Sequence, residues 1–154
     1  YLEDPVFHRR KLIMAPGSVV ILIDYVEGPA KECHDFRLMY NFNSTDVTLN
    51  DKHIDYVSRG HVPFELDFVS NVDFASSYLC GSTDPKGGWI SYGYPVKEPS
   101  GQVTMAYGGK APFMAATIIK SKGDDSTVSI DGDKVILKTP SGKWCITKEE
   151  VKRV

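Results

Sequence analysis

Val19-Val20-Ile21-Leu22-Ile23-Asp24-Tyr25-Val26 is the stretch that decides the fold. It is rich in β-branched and aromatic residues and is closed off by Gly28-Pro29, which reads as a strand ended by a turn. Apolar residues fill both phases of its alternation: Val19, Ile21, Ile23 and Tyr25 in one, Val20, Leu22 and Val26 in the other. A strand of that kind is expected to be buried on both faces. Pro16-Gly17 gives a turn signal immediately before it. Residues 1–17, with Pro5 and the basic run His8 to Lys11, are therefore expected to form an irregular lead-in.

Beyond this stretch, Phe36, Leu38 and Tyr40 alternate with Asp35, Arg37 and Met39, the pattern of a strand with one wet face. The simplest expectation makes it the hairpin partner of Val19–Val26. Residues 41–60 are polar and are expected to be an extended connection, with Asp46 to Leu49 as a short strand. Phe64, Leu66 and Phe68 alternate with Glu65, Asp67 and Val69 in the next strand. Further strands are expected at Ser77–Cys80, Trp89–Tyr92, Gln102–Tyr107 and Phe113–Lys120. Thr127–Asp131 and Val135–Thr139 should pair across Asp131-Gly132, and Lys143–Ile146 closes the series. The one helical signal is the capping box Thr147 to Glu150, with room for a single turn. Short strands at turn-punctuated intervals predict one all-β domain over residues 1–154, an antiparallel two-sheet β-sandwich.

Composition narrows the function. The formal net charge is −2 and the lysines are scattered, so no basic stripe exists to neutralise phosphates, and nucleic acid is not an expected partner. The longest apolar run, Val19 to Ile23, is far short of the ~20 residues of a membrane-spanning helix. The chain opens at Tyr1 with no charged-then-apolar leader, which suggests a trimmed protein or an excised domain. Cys33, Cys80 and Cys145 have neither a disulfide-framework pattern nor zinc-site spacing, and no metal or cofactor is expected. Asn43-Ser44-Thr45 is an N-glycosylation acceptor. With Asn43 modified, the protein would be extracellular or in the secretory pathway; a cytoplasmic location stays open.

Catalytic signatures are sparse. Gly108-Gly109-Lys110 lacks the spacing and the Ser or Thr of a phosphate loop, and neither a nucleophile elbow nor a His-Glu-x-x-His helix is present. His53, Asp55 and His61 are metal ligands by type, though in a polar stretch they equally suit a solvated loop. Glu65 and Asp67 fall on one strand face about 7 Å apart, a spacing open to acid–base work on a sugar or to a plain solvated face. Trp89 follows a Gly-rich loop, where an indole either stacks on a sugar or packs, whereas Trp144 reads as core. No catalytic residue is assigned and the chain is read as a binding protein.

The order of these segments resembles the galectin carbohydrate-recognition domain over about residues 12 to 139. Pro16-Gly17 before Ser18-Val19-Val20-Ile21 is similar to the opening of that family, and Phe36-Arg37-Leu38 to its next strand. Gly109-Lys110-Ala111-Pro112-Phe113 resembles its Gly-x-Pro-Phe element, and Thr127 to Asp133 its hairpin before the last strands. The resemblance implies a jelly-roll sandwich with a glycan face and places Trp89 where galectins stack galactose. It also aligns Asp67, Val69 and Asn71 with the family's His-x-Asn-x-Arg strand, so the polar partners of galactose are replaced. The implied site is Trp89 as platform, with Asp67, Ser70, Asn71 and Tyr92 beside it, altered to take a non-standard glycan or a protein surface. A non-lectin interaction module on the same sandwich and a glycan-processing enzyme using Glu65 and Asp67 are the alternatives. The oligomeric state is not legible.

Overall fold

A computed structural model describes residues 4–29 and 31–154. The described residues contain no helix. The first strands are β1 (Phe7–Ala15), β2 (Val19–Glu27), β3 (His34–Asn41), β4 (Val47–Asn50), β5 (His53–Val57) and β6 (Pro63–Ser70). The middle of the chain gives β7 (Ala75–Cys80), β8 (Ser82–Thr83), β9 (Lys86–Gly87), β10 (Trp89–Gly93), β11 (Val96–Pro99) and β12 (Gly101–Gly109). The last part gives β13 (Phe113–Ser121), β14 (Thr127–Asp131), β15 (Lys134–Thr139), β16 (Gly142–Ile146) and β17 (Val151–Arg153).

The central layer is a six-stranded antiparallel sheet in the order β1-β2-β13-β6-β5-β4. A three-stranded sheet, β3-β12-β7, packs on one face, completing the expected sandwich. A four-stranded meander, β14-β15-β16-β17, packs on the other face as a third layer. This is why β2 is apolar in both phases. Val19, Ile21, Ile23 and Tyr25 meet Val128, Val135, Leu137 and Ile146 of the meander, while Val26 joins Phe113, Phe68 and Met105 under the three-stranded sheet. The second core is aromatic: Phe36, Phe68, Phe74, Tyr107 and Phe113 meet edge to face, tilted or stacked at centroid distances of 4.8 to 6.1 Å, geometry worth more than area alone.

Four expectations are corrected. Within residues 1–17, the described part forms β1, in register with β2 from Phe7↔Glu27 to Ala15↔Val19; residues 1–3 lie outside the described set. The basic run is a strand in disguise, with partners on both faces. His8 and Arg10 reach Asp24 at 2.6 and 2.7 Å, while Lys11 donates to the Thr147 carbonyl at 2.8 Å and Arg9 pairs with Glu149 at 3.6 Å. Because β1 takes the hairpin position beside β2, β3 crosses to the other sheet and pairs with β12. Its Tyr40 hydroxyl spans the layers to Thr117 Oγ1 at 2.6 Å.

The connection over residues 41–60 is largely the hairpin β4–β5, turning at Asp51 with φ +52°. Thr147 and Glu150 close a tight turn between β16 and β17, with Thr147 N–H bonded to the Glu150 carbonyl and Glu150 N–H to Thr147 Oγ1. The side-chain bond of a capping box is present, and the chain leaves as a strand because the meander supplies a ladder partner. No helix among the described residues is long and apolar enough to cross a membrane. The three cysteines are unpaired.

Candidate functional site

The residues expected to form one sugar site are dispersed. Asp67 lies in the strand phase of Glu65 and Val69, which turns away from the three-stranded sheet. Its carboxylate takes His53 Nδ1 at 2.6 Å and Lys120 Nζ at 3.2 Å. Glu65 is 3.9 Å from the same buried ammonium, and Lys122 pairs with Asp55 at 3.1 Å. The Asp67 hydrogen bond raises the pKa of His53 above its ordinary value. Three carboxylates thus interleave with two lysines and a histidine, a charge-balanced network. No group of three or more His, Cys, Asp or Glu among the described residues is placed to hold a metal, and His53, Asp55 and His61 do not converge.

Ser70 Oγ donates to the Val72 carbonyl, and Asn71 Oδ1 accepts from Met114 N–H at 2.8 Å. Both side chains are thereby used to turn the chain out of β6. Trp89 sits at the end of the three-stranded sheet, where Gly88, with φ +70°, lies against the backbone of Leu79 and Cys80. Its Nε1 donates to the Ser82 carbonyl at 2.8 Å, and Lys97 Nζ lies 4.0 Å from its ring centroid. The indole is half-buried with one face already covered. Asp67 and Trp89 cannot act together, because strand alternation sends Asp67 to the face opposite Leu66 and Phe68.

Tyr92 and Asn43 do come together. They line a groove of about 450 Å³ between the Ser58–Val62 turn and the β10–β11 ribbon, with Asp46, Arg59, His61 and Glu98 among its other polar groups. The Arg59 guanidinium lies 4.7 Å over the Tyr92 ring and 3.3 Å from Glu98 Oε2. Its pKa is held above the usual arginine value, first by Tyr92 and then by Glu98. Tyr92 hydroxyl donates to the Asn43 carbonyl at 3.3 Å. Asn43 Oδ1 accepts from Tyr56 hydroxyl and, at 3.1 Å, from Arg59 N–H. His61 is held at φ +60° by the turn, whose bonds run from Ser58 N–H to the Val62 carbonyl and from His61 N–H to the Ser58 carbonyl. A side chain with φ above zero is strained and marks a turn fixed by its surroundings. Arg59 and Glu98 were missed in the sequence, and His61 was singled out only as a metal ligand by type, because the groove joins segments remote along the chain. The only local signal was the Arg59-Gly60-His61 turn.

An aromatic ring beside a charged fork and two carboxylates can stack on an apolar face and exchange hydrogen bonds with hydroxyls. The architecture has solved counterparts. The chain shares its fold with part of the heparinase III structures. A heparinase III gene product with methylated lysines superposes with TM-score 0.71 at 14% identity, over 100% of this chain and 24% of that one. Heparan sulfate lyase HepC from Pedobacter heparinus superposes with TM-score 0.69 at 9% identity, over 97% and 24%. A further heparinase III structure gives TM-score 0.70 at 12% identity, over 97% and 24%. The chain thus spans about a quarter of the length of the structures it matches. At such identities the likeness is one of fold. No protein-family model matches, and neither does any curated protein.

Proposed function

We propose that this chain is a glycan-binding β-sandwich domain of a longer glycan-acting protein, holding its ligand in the groove lined by Asn43, Arg59, His61, Tyr92 and Glu98. The observation that carries the reading is the stacked and ion-paired Arg59–Tyr92–Glu98 set at the groove wall. The fold shared with parts of heparan sulfate lyases supports a carbohydrate context. The role is binding without catalysis, since the carboxylates suited to sugar chemistry, Glu65 and Asp67, are engaged by Lys120 and His53. The groove lining carries two carboxylates, Asp46 and Glu98, against one arginine, so the groove favours neutral glycans over sulfated ones. That would distinguish this chain from what its structural counterparts are named for.

A glycan array carrying neutral and sulfated ligands, followed by calorimetry on the hits, tests this. Neutral glycans should bind, Tyr92→Ala should weaken them about tenfold, equivalent to roughly 1.4 kcal/mol of lost stacking and bonding, and Trp89→Ala should change little. Binding confined to sulfated glycans, or insensitive to Tyr92, would refute the groove. A second reading, contact with a protein, is supported by the β10–β11 tip, where Tyr94 is fully exposed beside Val96. Binding lost with Tyr94→Ser and kept with Tyr92→Ala would favour it.

A further inference from the structure

At the other end of the central sheet, a pocket of about 210 Å³ opens between β2, the start of β13 and the turns of the meander. Its polar lining is Tyr25, Glu27, Asn71, Asp133 and Lys148, and Pro112, Phe113 and Met114 form apolar wall. Tyr25 is 3% exposed, and its hydroxyl is buried without any hydrogen-bond partner. Burial is the main cause of its raised pKa, and the Asp133 carboxylate adds to it. An orphaned buried hydroxyl costs on the order of its desolvation penalty, and a phenylalanine would fill the same space without it. Lys148 covers the ring, with Nζ 5.6 Å from the centroid, and is ion-paired to Glu27. Asn71, also in the lining, spends its Oδ1 on Met114 N–H, which leaves its amide nitrogen as a donor.

We propose that this pocket binds a single neutral sugar ring, with the Tyr25 hydroxyl as its central hydrogen-bond partner. The volume is that of about seven waters at roughly 30 Å³ each, enough for one ring. A phenol both donates and accepts, the Asn71 amide and the Lys148 ammonium donate, and Glu27 and Asp133 accept. Adjacent sugar hydroxyls need this mixture. Two carboxylates against one ammonium disfavour an anionic ligand, and the wall of Pro112, Phe113 and Met114 suits an apolar ring face. Entry requires Lys148 to swing from Glu27, and both side chains are more than a third exposed, so the pair is solvated and free to part. The site is separate from the Tyr92 groove and stands or falls independently of it.

The test is amide chemical-shift mapping with neutral methyl glycosides of glucose, galactose, mannose and N-acetylglucosamine, and with glucuronate as the charged counterpart. At least one neutral glycoside should shift the amides of Tyr25, Asn71, Gly132 and Asp133 with a millimolar dissociation constant. Tyr25→Phe should abolish those shifts while leaving the ligand-free melting temperature unchanged or higher. Tyr92→Ala should leave them intact, which separates this site from the groove. The proposal is overturned if no neutral glycoside shifts these amides, if Tyr25→Phe binds like wild type, or if glucuronate binds more tightly than every neutral ligand. A Tyr25→Phe protein that melts lower would also count against it, since the hydroxyl would then already have a structural partner.

Discussion

Replacing Arg10 by methionine should destabilise the protein more than replacing its partner Asp24 by leucine. Asp24 is 1% exposed and accepts from Arg10 Nε at 2.7 Å and Nη2 at 3.1 Å, with His8 Nε2 at 2.6 Å. The asymmetry lies in exposure: the acid is enclosed, whereas the side chains of Arg10 and His8 are 43% and 50% exposed. Severing a fully buried pair costs about 3–5 kcal/mol. Water can reach this one from the Arg10 side and His8 remains, so Arg10→Met should cost about 2 kcal/mol. Asp24→Leu leaves two basic groups that solvent already reaches, and should cost under about 1 kcal/mol. The double variant should recover at least half of the Arg10→Met loss, because no buried charge is left unpaired. Urea denaturation of the four proteins in a double-mutant cycle measures all of these terms. Equal costs for the two single variants, or a double variant no better than Arg10→Met, would show that Asp24 is not a buried charge held by β1.

His53 ties stability to pH. Its folded pKa is raised, so the stability from its protonated form is full below about pH 6.5 and is lost as pH rises through the folded value. The melting-temperature gap between wild type and His53→Gln should therefore shrink on going from acid to mildly alkaline buffer, and a gap that widens would contradict the Asp67 bond. Gly88→Ala should cost roughly 2–3 kcal/mol, because φ is +70° and a Cβ would lie 2.6 Å from Cys80 Cα; chemical denaturation reads it directly. Produced in a secretory eukaryotic host, the chain should carry a glycan on Asn43 that fills the groove mouth. Mass spectrometry should show it, and Thr45→Ala should remove the glycan and restore binding in the groove.

Most of the strand inventory was legible in the sequence. From β3 to β16 the apolar patterns and turn signals located ten strands within a residue or two, because a strand with one buried face must alternate and one covered on both faces is apolar throughout; β5, β8, β9 and β11 were read as loop or connection. The Asp131-Gly132 turn was equally readable, as Gly132 takes φ +61°, which glycine adopts without strain. β1 was not legible. Its side chains carry charges in both phases, and only Asp24 on one face with Glu149 and the Thr147 carbonyl on the other make that pattern a strand.

Of the candidate site, the sequence flagged Asn43 as a glycosylation acceptor, Tyr92 through the family resemblance and His61 as a metal ligand by type, and the structure brought them into one groove with Arg59 and Glu98. It separated Asp67 from Trp89 because a period of two assigns neighbouring residues to opposite faces, and nothing local says which face a distant tryptophan will share. The double burial of Val19–Val26 was written in its own apolar phases. What covers each face was not, since pairing and layer order follow from contacts between segments far apart along the chain. The sequence by itself therefore determined an all-β chain with one strand covered on both faces, fully in one phase and partly at Val20 and Leu22 in the other. Tertiary structure alone decided that β1 occupies the edge beside that strand, that β3 crosses to the second sheet, and that a third layer closes over Ile21 and Ile118.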